Sequence, residues 1–269
     1  MNKEILEFGK RMDTAEDKAM LVDYAEGFKS VLDLGAGTGK IARDIAEKWG
    51  AHVDAVDIQF KDNCQNSDNV TYYGMGINDF LAITDKKYDC IVLSAILHEL
   101  SDGYVGTMLS RLQNVMLPNC RILIREPFCD NNLGPVLPED LNTFVDLVKN
   151  NLPAGKAIEF AMTPKLHSER PLDVTDLIGI DWVNMCFTIS YGEQSWEREK
   201  HELRYARTLN WCKEFFNFSK RPFTGFQVFP VLDKTYRRHF INANIPAAAF
   251  DLIQYTGMII VIDYSIIEK

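Results

Sequence analysis

Between Val31 and Lys40 the chain reads Val-Leu-Asp-Leu-Gly-Ala-Gly-Thr-Gly-Lys. A short apolar strand carrying Asp33 runs into three alternate glycines, Gly35, Gly37 and Gly39, and a helical pattern, Ile41 to Trp49, follows at once. Glycines at such a junction let the backbone approach a ligand closely, because no Cβ stands in the way. The helix that follows offers unpaired N–H groups at its start. The spacing is G-x-G-x-G, not the G-x-G-x-x-G of a dinucleotide fold, and Lys40 is followed by Ile41 rather than by the Ser or Thr of a phosphate-cradling P-loop. The junction therefore constrains the chain to a strand–turn–helix unit with a ligand at the turn.

The same alternation continues downstream. Val53 to Val56 reads as a second strand and ends in Asp57, twenty residues past Gly37. An acid there is placed to grip a ribose diol. Val70 to Tyr73, Tyr88 to Ser94 and Arg121 to Arg125 read as further strands, the last preceded by the turn signal Leu117-Pro118-Asn119. Helical patterns lie between them, which predicts a parallel sheet covered on both faces. From Ser30 to Phe128, in this order, the chain resembles the class I S-adenosylmethionine-dependent methyltransferases. The resemblance implies an α/β fold, a doubly wound, mostly parallel seven-stranded sheet with helices on both faces and an antiparallel last strand. Thr208 to Phe216 resembles the helix before the sixth strand, Gly225 to Phe229 that strand, and Met258 to Ile266 the seventh. The domains expected are a helical cap over 1–29, a cofactor-binding core over 30–128, and an inserted lid or substrate-recognition region over 129–206. Residues 207–269 then complete the sheet, with a substrate loop near 233–255. Prolines 135, 138, 153, 164 and 171 cut the insertion into short pieces, with helical candidates at Glu139 to Asn150 and Trp196 to Arg207.

The implied cofactor is S-adenosyl-L-methionine. Gly35, Ala36, Gly37, Gly39 and Ser94 are expected at the cofactor, the backbone carbonyls near Gly35 and Ser94 accepting from the ammonium of its amino-acid tail. Asp57 is expected on the ribose hydroxyls and Ile58 on the adenine face. Asp33, also a candidate cofactor-binding residue, either organises the glycine loop through the loop's own N–H groups or touches the cofactor directly. After the third strand many family members carry Gly-Asp, with the acid facing the adenine amino group. Here the run is Gly74-Met75-Gly76-Ile77-Asn78-Asp79, and Gly76 stands in the acid's place. Asn78 or Asp79 takes over from a shifted loop, or Asp79 caps the helix Phe80 to Ile83, while Ile77 packs on the ring. From the N-terminal stretch, Lys10 or Arg11 either meets the tail carboxylate or is a solvated surface cation.

The fourth strand leads into Ser94-Ala95-Ile96-Leu97-His98-Glu99-Leu100, which resembles a Leu-His-Glu-Leu segment of small-molecule members of the class. His98, Glu99 and Glu126 are the candidate catalytic residues, Glu126 either orienting an acceptor or bonding to Arg125 or loop backbone. A base is needed only where the nucleophile must lose a proton, so His98 reads either as that base or as a packing residue. Tyr191, Trp196 and Arg237 are the candidate substrate-binding residues. No Asn-Pro-Pro-Tyr run, Pro-Cys pair or cap-type Lys-Asp-Lys-Glu tetrad is present at matching places.

Charge bears on the acceptor. The net charge of −9 speaks against unspecific attraction to nucleic acid. Yet Glu197 to Phe240 holds ten cations against five acids, interleaved with aromatics, a combination that grips phosphates and stacks bases. A small-molecule acceptor is the first reading, RNA or another polyanion bound through 196–240 the second, and a subunit that binds the cofactor without transferring methyl the third. The six cysteines form no C-x-x-C pair, so no metal site is expected. The polar opening stretch and the shortness of the apolar run Gly257 to Ile262 lead to the expectation of a cytoplasmic protein without a membrane span.

Overall fold

The strand predicted first, β1 (Ser30–Leu34), lies in the middle of a sheet and is buried along all but its first residue. The structure, a computed structural model, describes residues 16–60, 64–126, 135–162, 170–190, 192, 196 and 207–265. Strands β2 (His52–Asp57), β3 (Val70–Gly74), β4 (Tyr88–Ser94), β5 (Met116–Glu126), β6 (Phe223–Val231) and β7 (Gly257–Tyr264) complete a seven-stranded sheet ordered β3-β2-β1-β4-β5-β7-β6. Strands β1 to β5 run parallel, and β7 is antiparallel to both β5 and β6. This is the sheet the resemblance implied. Successive strands are added outward on either side of β1, so the direction of winding reverses between β1 and β4. In open α/β sheets a ligand crevice forms at such a reversal, beyond the carboxyl ends of the strands.

Local chemistry explains the elements. Helix α1 (Glu16–Asp23) precedes β1, and α2 (Lys40–Trp49) follows the glycine loop. Gly39 and Gly50 bracket α2 in the left-handed region, at φ 67° and 63°. The Gly50 N–H closes the helix on the Ala46 carbonyl at 2.9 Å. Helix α3 (Ile77–Ile83) follows β3, and α4 (Asp102–Val115) follows β4 with Ser101 as its side-chain cap. The turn signal at Leu117-Pro118-Asn119 falls inside β5: the ladder with β4 jumps from Tyr88 opposite Met116 to Cys90 opposite Arg121, and Pro118 and Asn119 bulge out exposed. Proline has no N–H to donate, so the strand tolerates it only where the ladder is broken. In the N-terminal stretch, read as a cap, Leu21 and Val22 of α1 and Ala25 just after it pack into the sheet's own core with Ile41, Ile45, Val31 and Val261.

The described residues fall into two bodies. The sheet and its helices lie within Gly9–Pro127, Asn210–Val231 and Gly257–Lys269; the other body lies within Phe128–Leu209 and Leu232–Thr256, together with Met1–Phe8, which is not described. The second body has an apolar core of its own. Helices α5 (Leu141–Asn151), α6 (Ala154–Ala161), α7 (Gly179–Ser190), α9 (Thr235–Asn242) and α10 (Ala247–Asp251) bring Phe144, Val148, Trp182, Met185, Phe240 and Phe250 together in it. Helix α8 (Leu209–Phe215), just before β6, is the helix anticipated there. The segment near 233–255, read as a loop, thus holds two helices that share one core with the large insertion. A bridge between Val136 and Ile253 and a bond from the Gln254 N–H to the Pro135 carbonyl (2.9 Å) tie the two excursions together. The helix expected from Trp196 to Arg207 lies, apart from its two end residues, outside the described residues. Among the described residues no helix is long and apolar enough to cross a membrane, and no group of His, Cys, Asp and Glu is arranged to hold a metal.

Candidate functional site

The parallel strands place Gly35, Asp57, Gly74, Ser94 and Glu126 at their carboxyl ends. Two loops from this edge hold the candidate groups.

The first is the glycine loop. Gly35, Gly37 and Gly39 take φ of 76°, 54° and 67°, a region that side chains other than glycine's rarely adopt. The loop hangs from the neighbouring strand: the N–H groups of Gly35 and Ala36 donate to the Val56 carbonyl at 2.8 and 3.1 Å. The Asp57 carboxylate accepts from Gly37 N–H at 2.8 Å and from Gln59 N–H at 2.9 Å, one through each oxygen. Asp57 is therefore oriented before any ligand arrives, and each oxygen keeps a lone pair for another donor. Ile58, beside it, is 78 % exposed.

Beneath the loop sits Asp33, 1 % exposed, its carboxylate oxygens without a well-formed hydrogen bond and reached weakly by the Ala42 N–H. The expected bonds to the loop's own N–H groups are not formed: Gly35 and Ala36 donate to Val56, Gly37 to Asp57 and Gly39 to the Ala36 carbonyl. Burial pushes the Asp33 carboxyl up to about 7, with the charge of Asp57 adding to the rise and Lys18 and the Ala42 N–H opposing it.

The second loop follows β4. Glu126, 1 % exposed, accepts through Oε1 from the N–H groups of Ile96 and Leu97, each at 2.5 Å, and through Oε2 meets Nδ1 of His98 at 2.6 Å. The His98 ring is nearly buried, and its Nε2 stands 3.9 Å from Glu99 Oε1, beyond hydrogen-bond range. A carboxylate facing Nδ1 fixes the tautomer, with Nδ1 donating and Nε2 left with a lone pair. Ala95, entering this loop, has φ 55°, and its N–H donates to the Arg125 carbonyl at 2.7 Å. The bonds of Glu126 to loop backbone are the plainer of the two roles its sequence position offered. Three features escaped the sequence reading: the left-handed Ala95, the bond of Glu126 to His98 and the approach of Ile96 to Gly35.

The adenine-side residues divide. Gly76 is the cap residue of α3, so Asp79 lies within the first turn rather than before it, its carboxylate folded back towards Gly76. There its charge suits the positive end of the helix. Ile77 is buried at the start of α3. The Asn78 carbonyl receives Arg111 from α4, and the buried Oδ1 of Asn78 has no hydrogen-bond partner.

Of the candidate substrate residues, Tyr191 lies outside the described residues, as do Lys10 and Arg11. Trp196 is buried in the second body's core, its ring stacked on Phe160 and its Nε1 donating to Glu159 at 2.8 Å. Arg237 is exposed on α9 and paired with Asp251 at 3.0 Å. Its aromatic neighbours in sequence, Tyr236 and Phe240, are packed in the same core.

Two observations test the site against a sulfonium nucleoside. A Cβ placed on Gly37 would meet nothing within 4 Å, so the space over the loop is open, and the orphaned, buried Asp33 suits a cationic group. The residues fit.

Comparison with known proteins agrees. Residues 31–119 match the family described as "Methyltransferase domain", one third of the chain. The chain is 29% identical over 132 residues to the Alpha N-terminal protein methyltransferase 1 of Dictyostelium discoideum, covering 43% of this chain and 48% of that protein. It is 28% identical over 124 residues to the Flavonoid 3'-O-methyltransferase 3 of Mentha piperita, covering 46% and 31%. The chain thus spans about half or less of the length of the curated relatives it matches. Among solved structures, a SAM dependent methyltransferase from Archaeoglobus fulgidus superposes with a TM-score of 0.50 at 14% identity, covering 92% of each chain, which is a likeness of fold.

Proposed function

We propose that this chain, whose residues 31–119 match the family described as "Methyltransferase domain", transfers the methyl group of S-adenosylmethionine to a small molecule that presents an O–H or N–H. When bound, the sulfonium supplies an already activated methyl, open to in-line displacement. The glycine loop admits it, Asp33 faces its charge and Asp57 holds its sugar. Displacement from such a donor asks the protein mainly for alignment and dryness. His98 supplies the one further group that an O–H or N–H acceptor requires. With Nδ1 held by Glu126, Nε2 takes the acceptor's proton, and the Glu126 carboxylate stabilises the imidazolium that forms. Glu126 itself stays a positioning residue, since both of its oxygens are committed. The observation that carries the reading is the pairing, at one sheet edge, of a loop built for close approach with a carboxylate-held imidazole.

The relatives named above act on different acceptors, so the acceptor rests on this site alone. The polyanion reading drew on aromatics interleaved with cations between 196 and 240. The described ones are engaged elsewhere: Trp196, Tyr236 and Phe240 in a core, and Trp211 stacked on Phe215 at 4.4 Å. Bases stack on open aromatic faces, and the three rings in that core are buried. The test is methyl transfer from radiolabelled S-adenosylmethionine to a panel of phenols, heteroaromatic amines and total RNA. Label in a small molecule, lost in His98→Gln with cofactor affinity kept, supports the proposal. Label only in RNA, with binding that falls steeply as salt rises, replaces it. Cofactor binding with no transfer to any acceptor leaves the binding-subunit reading.

A further inference from the structure

We infer that Ile96 is a positioning residue that couples occupation of the glycine loop to the setting of His98. The inference rests on the proposed function and goes beyond it by joining the site's two halves. Ile96 reaches both. A Cβ built on Gly35 would stand 2.8 Å from Ile96 Cγ1, 3.0 Å from its Cβ and 3.1 Å from its Cδ1, so the Ile96 side chain lies along the bare Cα of the first loop glycine. Its own N–H donates to Oε1 of Glu126, whose Oε2 holds His98. Only glycine at position 35 permits this approach, both for space and for the φ of 76°.

The link is stiff at each step. Gly35 is pinned by its N–H to Val56 and Ala95 by its N–H to Arg125, and Ala95 enters the second loop in a left-handed conformation with few alternatives. A ligand that presses on or orders the glycine loop therefore moves the Ile96 side chain. That movement is passed by the Ile96 amide to the carboxylate that orients the imidazole. Packed groups with hydrogen bonds at both ends carry such displacement; a loose side chain does not. The consequence for the enzyme is an order of assembly: the base is brought to its working orientation when the methyl donor is in place.

The test is the NMR titration of the His98 ring with and without S-adenosylhomocysteine, in the wild type, Ile96→Ala and Ile96→Val, with calorimetry of the same ligand alongside. In the wild type the ligand is expected to move the ring resonances and their titration midpoint. In Ile96→Ala that response is expected to shrink to a small fraction, with binding weakened by about five-fold, the low end of measured couplings between sites. Ile96→Val keeps the Cβ branch that faces Gly35 and is expected to restore most of the response. A response of wild-type size in Ile96→Ala, or a wild-type His98 that ignores a ligand seen to bind by calorimetry, overturns the inference and leaves the proposed function standing. Failure of the wild type to bind S-adenosylhomocysteine at all overturns both.

Discussion

The two loops at the carboxyl edge of the sheet solve one problem in opposite ways. Both must leave a strand and turn sharply. The loop after β1 does so with three glycines at positive φ, and it leaves the acid beneath it, Asp33, without a well-formed hydrogen bond. The loop after β4 turns at an alanine, Ala95, and is held by an acid, Glu126, whose every oxygen is engaged. Bare backbone with an unsatisfied charge is the arrangement of a site waiting for a cation. Strained backbone with a satisfied charge is that of a group held by the fold itself. The first loop is built to receive and the second to hold.

The comparison breaks most sharply at Gly37. Its Cβ position is empty space, so Gly37→Val does not collide with the protein. The valine side chain occupies the ligand's place, and the φ of 54° adds about 1–2 kcal/mol of local strain. S-adenosylmethionine affinity in calorimetry is expected to fall at least about a hundredfold, a loss of about 3 kcal/mol or more, with the far-ultraviolet circular dichroism of the folded chain retained. Unaltered affinity would mean that the receiving loop is not this one.

In the second loop the largest effect falls on Glu126. Removing its carboxylate strands two buried N–H groups and frees the imidazole. Breaking a buried, fully hydrogen-bonded charge costs about 3–5 kcal/mol. Glu126→Ala is expected to lose that much in urea denaturation and to abolish methyl transfer. A variant as stable as the wild type would show that the carboxylate holds nothing.

Asp33 is the converse case. Its carboxyl is raised from its ordinary 3.8 to about 7 by burial. The folded chain therefore binds more protons at this site than the unfolded chain between those values, and stability falls as pH rises from about 4 to about 7, then levels off. Asp33→Asn removes that slope. At 1.36 kcal/mol per pKa unit the variant is expected to gain about 2–4 kcal/mol over the ligand-free wild type above pH 7. Its affinity for the sulfonium cofactor is expected to drop. Thermal melts of both proteins from pH 5 to 8 check the first part and calorimetry the second. Parallel melting curves would place Asp33 in some satisfied environment.

How much of this was legible in the sequence follows the same division. The glycine loop could be read because its conformation demands a residue type: positive φ three times within five residues writes itself as G-x-G-x-G. The buried strands β1, β4 and β7 could be read because burial on both faces demands continuous apolar runs. The place of Asp57 at the end of a strand could be read, but not its bonds to the Gly37 and Gln59 N–H groups. The second loop was legible only as a list of polar residues. That Glu126 binds Ile96, Leu97 and His98 depends on β4 and β5 lying side by side, a fact of topology that no local pattern encodes. Ala95 carries no signal at all, since alanine is expected in any helix or strand. The excursion near 233–255 passed for a loop because its helices are short and find their apolar partners, Phe144 and Trp182, far back in the chain.

Ala95 also gives the smallest and most discriminating prediction. An L-residue held in the left-handed region costs about 1–2 kcal/mol, whereas glycine adopts it freely but loses more entropy on folding. The two terms oppose each other, so Ala95→Gly is expected to stabilise the chain by only about 0.5–1 kcal/mol, read as a small rise in the urea midpoint at unchanged slope. Were stability the sole requirement, glycine would serve after β4 as it does after β1. A strained alanine narrows the conformations open to Ile96 and His98, so the same variant is expected to transfer methyl more slowly although it is more stable. A variant that is both more stable and fully active would show that the strain at Ala95 serves nothing, and that the two loops differ in sequence but not in task.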